Sequence, residues 1–185
     1  MQETHDPHAW LRDIPGAIRY RLKQDYDTLE SKAALLGLPE GRIAKSVYWT
    51  PRRATGPLYC AVVPADRDVD RSKLLAALRV DHPLPSGICV ARAYPAGQAP
   101  GRLGPFPTEE DVGRFGMIIY DADFPADLPL DFAHPTLHRA GFLATIAAVE
   151  RALDDRFGDR VRRHTASIAT PAWHAAFARA CRHKI

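Results

Sequence analysis

The clearest pattern in the chain lies between Arg42 and Asp66, where two runs of mainly apolar residues flank a short breaker segment. Arg42-Ile43-Ala44-Lys45-Ser46-Val47-Tyr48-Trp49 and Leu58-Tyr59-Cys60-Ala61-Val62-Val63-Pro64-Ala65-Asp66 are rich in β-branched and aromatic residues, and the Pro51 to Pro57 stretch between them holds Pro, Gly and two Arg. Strand-forming runs on either side of turn chemistry predict a hairpin. Side chains alternate across a strand, so Ile43, Lys45, Val47 and Trp49 share one face and Ala44, Ser46 and Tyr48 the other. Lys45 thus keeps company with the larger apolar side chains. Taken alone, it reads as a Lys at a strand end whose stem packs while its ammonium reaches water.

Around this hairpin the periodicity predicts a mixture of helices and strands. Trp10, Leu11, Ile14, Ile18 and Leu22 form a roughly i, i+4 stripe broken by Pro15-Gly16, which predicts a turn followed by a helix. Leu29, Ala33 and Leu36 mark a second helix ended by Gly37 and Pro39. Val69 to Leu78 has helical spacing and an acidic start that suits the helix dipole. Gly87 to Ala91 fits either an edge strand or the start of a helix. Residues 94–107 carry too many Pro and Gly for a regular element and form a shaped loop. Gly116 to Asp121 reads as a buried strand ending on an acid. Phe142 to Val149, continuing to Phe157, reads as one apolar helix stopped by Gly158. Pro171 to Ala180, with Trp173 and Phe177, reads as a final amphipathic helix.

Composition narrows the class. A chain of 185 residues suits one domain with a sizeable core. Cys60, Cys89 and Cys181 are scattered without metal-ligand spacing, which fits reduced thiols in a cytoplasmic protein. The polar first residues lack a signal-peptide core, and no stretch approaches the ~20 apolar residues of a membrane helix, so a soluble protein is expected, with no membrane partner. Net charge is +3, and residues 151–185 hold eight Lys and Arg against three acids, with Arg156, Arg160, Arg162 and Arg163 close together. Such a cluster fits either a patch that meets a phosphate backbone or a solvated helix end. Ser46 lacks a Gly-x-Ser-x-Gly elbow, which argues against covalent catalysis. The acids show no metal-ligand spacing, so no metal and no cofactor are expected.

The order of several segments resembles the YbaK/ProRS-associated editing domain family, deacylases of mischarged tRNA. These segments are a helix ending in Leu-Gly-Leu, Ile43-Ala44-Lys45-Ser46-Val47, Val62-Val63-Pro64-Ala65-Asp66 running on to Leu74, the loop Gly101-Arg102-Leu103-Gly104-Pro105-Phe106, the strand ending at Asp121, and His134-Pro135. The match covers roughly Thr28 to Thr145. The resemblance implies a mixed α/β single domain with a curved, mainly antiparallel sheet flanked by helices over residues 1–150. A basic helical extension, residues 151–185, is expected to pack on the same domain. The chain departs from the family in having His138 where relatives place Asn, and Pro107 where Gly is usual.

The implied activity is hydrolysis of a mischarged aminoacyl-tRNA ester, with the tRNA acceptor end as partner and a synthetase as a further one. The alternative is a non-catalytic module that binds tRNA or a synthetase. The resemblance places Lys45, Gly101 and His134 in the reaction and Pro105 at the end of the same loop, and Ser46, Tyr48, Gly104, Phe106 and His138 are the further candidates for contact with the substrate. An activated ester needs an aimed water or ribose hydroxyl and donors for the developing oxyanion, not a strong base. A Lys ammonium is a compact partner for phosphate or ester oxygens, and a Gly-rich loop offers backbone N–H groups at close range. Without the resemblance, Gly101 and Pro105 are ordinary turn residues and His134 a structural histidine.

Overall fold

The predicted hairpin forms the middle of a five-stranded sheet. A computed structural model describes residues 6–52, 56–80, 87–100 and 102–171. Past a 3-10 turn at Ala9–Asp13 come β1 (Ile18–Arg21), α1 (Leu29–Leu36), β2 (Ala44–Pro51), β3 (Leu58–Pro64), β4 (Arg67–Val69), α2 (Arg71–Arg79) and β5 (Ile88–Val90). The second half supplies β6 (Phe115–Asp121), β7 (Leu130–Ala133), β8 (Ala140–Ala144), α3 (Ile146–Phe157), β9 (Arg163–Ala166) and β10 (Ala169–Pro171).

The main sheet has the order β5-β2-β3-β6-β9. β2 runs antiparallel to β3 and β5, with Lys45 opposite Val63 and Tyr48 opposite Cys60, while β3–β6 and β6–β9 are parallel pairs. Antiparallel β1-β8-β7 forms a second sheet and β4-β10 a ribbon. The result is a mixed α/β domain in which antiparallel pairs predominate.

Both faces of the main sheet are covered, which is why every residue of β3 is buried. On one face Tyr48, Cys60, Val62, Ile118 and Tyr120 pack with Trp10, Phe106, Phe132, Phe142 and the α3 residues Val149 and Leu153. On the other, Trp49, Tyr59, Ala61, Val63, Met117 and Ile119 pack with Leu74 and Leu78 of α2 and with Ile168. The strand alternation read from the sequence therefore divides the core in two.

Local chemistry sets the helix ends. Thr28 and Ser31 close a reciprocal capping box on α1, and Gly37 ends it with φ +65°, a left-handed geometry that costs Gly little. Asp70 caps α2 through Ser72 N and Lys73 N.

Three expectations are corrected. Ile18–Arg21 is a strand, because Pro15-Gly16 resets the chain and β8 offers an antiparallel partner; Trp10, Leu11 and Ile14 are buried, whereas Ile18 is 64% exposed. The stripe had joined residues of two elements. Phe142–Ala144 belongs to β8, where Phe142 faces Phe132 on β7 at 5.6 Å between ring centroids; the helix starts only after Thr145, whose hydroxyl accepts from Ala148 N. Finally, the boundary expected after residue 150 falls inside α3, and residues 163–171 form β9 and β10 instead of continuing a helical extension. Gly87 to Ala91 resolves as the edge strand β5. The helix expected over Pro171 to Ala180, and Cys181, lie outside the described residues apart from Pro171, the last residue of β10.

Candidate active site

One narrow cleft of about 180 Å³ opens between α1 and the edge of the hairpin, walled by Leu29, Lys32, Ala44, Lys45, Ser46, Leu103 and Ala133. It shares Leu29 with an outer basin of about 250 Å³ formed by Tyr26, Asp27, Thr28, Pro100, Arg102 and His138. Segments 44–46, 103 and 133, far apart in sequence, thus meet around one small space.

The α1 wall is fixed by a buried ion pair. Lys32 Nζ lies 2.5 Å from the Asp131 carboxylate, and the two residues are 1% and 0% exposed. Tyr20 on β1 donates its hydroxyl to the same carboxylate, and the ammonium faces the rings of Tyr20 and Tyr26 at 6.0 and 5.7 Å. Burial first and Asp131 second push the Tyr20 phenol far above its ordinary range, so it stays a neutral donor. α1, β7 and β1 are tied together at this point.

The loop wall is pinned by Gln98. Its Oε1 accepts from Gly104 N at 3.0 Å, its Nε2 donates to Phe106 O at 2.8 Å, and Tyr48 Oη donates to Gly104 O at 2.5 Å. His8 Nε2 adds a further bond to Phe106 O at 3.1 Å. A Cβ at position 104 would run into the Phe106 ring, so this approach needs Gly.

The candidate residues separate accordingly. Ser46 stands in the wall and Lys45 contributes to it, but the Lys45 ammonium is held by Asp68 at 2.9 Å and by the Arg67 carbonyl. Its position opposite Val63 puts it on the α2 face of the sheet, away from Ser46 and Tyr48. Tyr48 and Phe106 are fully buried core residues that shape the loop, and Gly104 and Pro105 run beside them without lining the cleft. The wall is formed by Ala133 and not by His134, whose Nδ1 accepts from Thr136 N and Leu137 N and so holds the following turn. His138 stands in the outer basin with its Nε2 2.8 Å from Asp25. Gly101 lies outside the described residues.

Lys32, Asp131, Tyr20, Gln98, Tyr26 and Arg102 were not singled out by the sequence. For two of them a signal existed: Lys32 sits three residues after Leu29 and four before Leu36, on the apolar stripe, and Asp131 interrupts Leu130-Asp131-Phe132 inside a strand.

Neither neighbouring nucleophile is activated. Burial pushes the Cys60 thiol up to about 12, the Ser46 and Tyr48 hydroxyls acting in the opposite sense, and a thiol so raised is protonated at neutral pH. Among the described residues no carboxylate or imidazole is hydrogen-bonded to the buried Ser46 hydroxyl, hence no base. Among these residues no group of three His, Cys, Asp or Glu is placed to hold a metal ion, and no helix is long and apolar enough to cross a membrane.

Comparison with known proteins finds likeness in fold. The structure of hypothetical protein APE2540 superposes with a TM-score of 0.66 at 16% identity, over 88% of this chain and 98% of that one. A protein provisionally described as a trans-editing enzyme for prolyl tRNA synthetase superposes with a TM-score of 0.62 at 17% identity, over 86% and 92%. A scaffold used for computational epitope grafting matches at 0.62 and 18% identity. No family model and no curated protein sequence matches.

Proposed function

We propose that the protein hydrolyses the ester bond of mischarged aminoacyl-tRNA. The observation that carries this reading is the meeting of Ala44-Lys45-Ser46, Leu103 and Ala133 around one cleft of about 180 Å³, since the first two lie in segments that resemble the editing family and Ala133 directly precedes a third, His134-Pro135. The fold shared with a provisionally described trans-editing enzyme supports it.

The chemistry of the cleft is compatible. Leu29, Leu103, Ala44 and Ala133 make an apolar wall sized for a small side chain, the class that binding alone discriminates poorly, at ~1–3 kcal/mol per methylene. With no activated nucleophile at hand, the attacking group is water or the neighbouring ribose hydroxyl, oriented by the walls. In this reading the outer basin receives the end of the tRNA, with the Tyr26 ring and the Arg102 guanidinium offering stacking and charge. In this reading Lys45 leaves Asp68 and swings past the edge of β2, where β5 pairs only with Trp49–Pro51, to bring its ammonium to the ester or terminal phosphate.

The rival reading, a binding module acting through the basic segment, loses ground on charge pairing. Arg156 and Arg160 both bind Glu109, at 3.0 and 3.1 Å, and Arg163 binds Asp154. Much of that cluster is neutralised inside the domain.

Single-turnover hydrolysis over a panel of aminoacyl-tRNAs tests the proposal, with thermal unfolding measured alongside. Lys45→Ala is expected to slow ester release by ~10²–10³ while shifting the melting temperature little. An unchanged rate removes Lys45 from the site. If the wild type releases no ester from any charged tRNA yet still binds tRNA, the module reading replaces this one.

A further inference from the structure

A groove of about 790 Å³, more than four times the volume of the cleft, lies at the far end of β2, where Arg52, Arg92 and Arg114 converge with Thr50, Pro57 and Ala91. Among the described residues no acid lines it. Among the described residues, Arg52 and Arg92 have no ion-pair partner, and Arg114 has a single long contact, 3.4 Å to Asp111. The contrast with the cluster noted in the sequence is one of pairing: Arg156, Arg160 and Arg163 are occupied by carboxylates, whereas the groove arginines keep their forks largely open. A planar guanidinium presents paired donors that match phosphate oxygens, so three of them around one groove, with Asp111 as their one described carboxylate partner, form a polyanion site.

Distance fits this groove to the cleft. Ala44 lines the cleft and Pro51 the groove, seven residues apart on β2, which at ~3.3 Å per residue is about 23 Å. That span matches several nucleotide steps of a duplex strand, whose phosphates follow one another at roughly 3 Å along the axis. We infer that this groove binds the phosphate backbone of the tRNA acceptor stem, holding the duplex while its end reaches the cleft. The identification of the polyanion as an acceptor stem rests on the deacylase reading.

Uncharged tRNA is the probe, titrated against the full chain across a salt series, with Arg52→Gln/Arg92→Gln and the triple variant that adds Arg114→Gln. All three side chains are exposed, so the variants are expected to melt with the wild type. Each lost phosphate contact lowers the slope of log K against log salt by ~0.7–0.9, so the double variant is expected to lose ~1.4–1.8 from the slope and at least about tenfold in affinity near 0.1 M salt. An unchanged slope in both variants overturns the inference, even where the wild type hydrolyses aminoacyl-tRNA. So does preference for polyglutamate over tRNA. Loss of the slope in a protein that releases no ester from any charged tRNA upholds the groove and defeats the deacylase reading instead.

Discussion

His134 holds its turn only as a neutral ring, since Nδ1 must stay unprotonated to accept from Thr136 N and Leu137 N. Burial depresses its pKa below the ordinary 6.5, and burial does the same to His8, which lies within electrostatic reach of it. A histidine whose folded pKa is depressed takes up fewer protons folded than unfolded, so its contribution is complete above ~6.5 and is lost as pH falls through the folded value. Urea midpoints are therefore expected to drop between pH 7 and pH 5, and His134→Asn, which keeps an acceptor without a titration, is expected to flatten that drop. Equal slopes in both proteins would assign the acid sensitivity elsewhere. Lys45 and Ser46 at the cleft were legible in the sequence because motif order singled them out. The roles of Tyr48 and Phe106 were not, because an aromatic residue that shapes a wall from behind has the same local pattern as one that lines it.

At the scale of elements, one buried ion pair joins α1 to β7 in place of apolar packing. Replacing Lys32 alone strands a carboxylate in a dry site, and Lys32→Met is expected to cost about 3–5 kcal/mol in denaturant unfolding. The double variant Lys32→Met/Asp131→Asn removes both charges and is expected to recover most of that loss; failure to recover would mean that the pair stabilises through its full charge. The same scale shows where periodicity misleads. α1, α2 and the hairpin carry their own caps and turns, so they could be read from their residues. Ile18–Arg21 and Phe142–Ala144 are strands only because β8 and β7 supply ladder partners, a tertiary effect that overrides an apparent helical stripe.

For the molecule as a whole, the segment after α3 is part of the fold. β9 pairs with β6 along Ile118 to Asp121, and the buried Asp121 carboxylate accepts from Ile168 N and Ala169 N at 2.8 and 2.6 Å. Truncation after Gly158 is therefore expected to abolish cooperative thermal unfolding, whereas a detachable extension would leave the transition in place. The sequence showed a basic excess there and so read a helical extension packed on the domain, because a short edge strand of the composition Arg-His-Thr-Ala carries no apolar signal. This closing strand has a consequence for synthesis on the ribosome. Until residues 163–166 have emerged, β6 offers its apolar run Phe-Gly-Met-Ile-Ile-Tyr with one side of its backbone unpaired, a template for strand addition by any neighbouring chain. The nascent protein is thus most exposed to aggregation in the interval between completing α3 and completing β9, when a chaperone covering that edge would matter most.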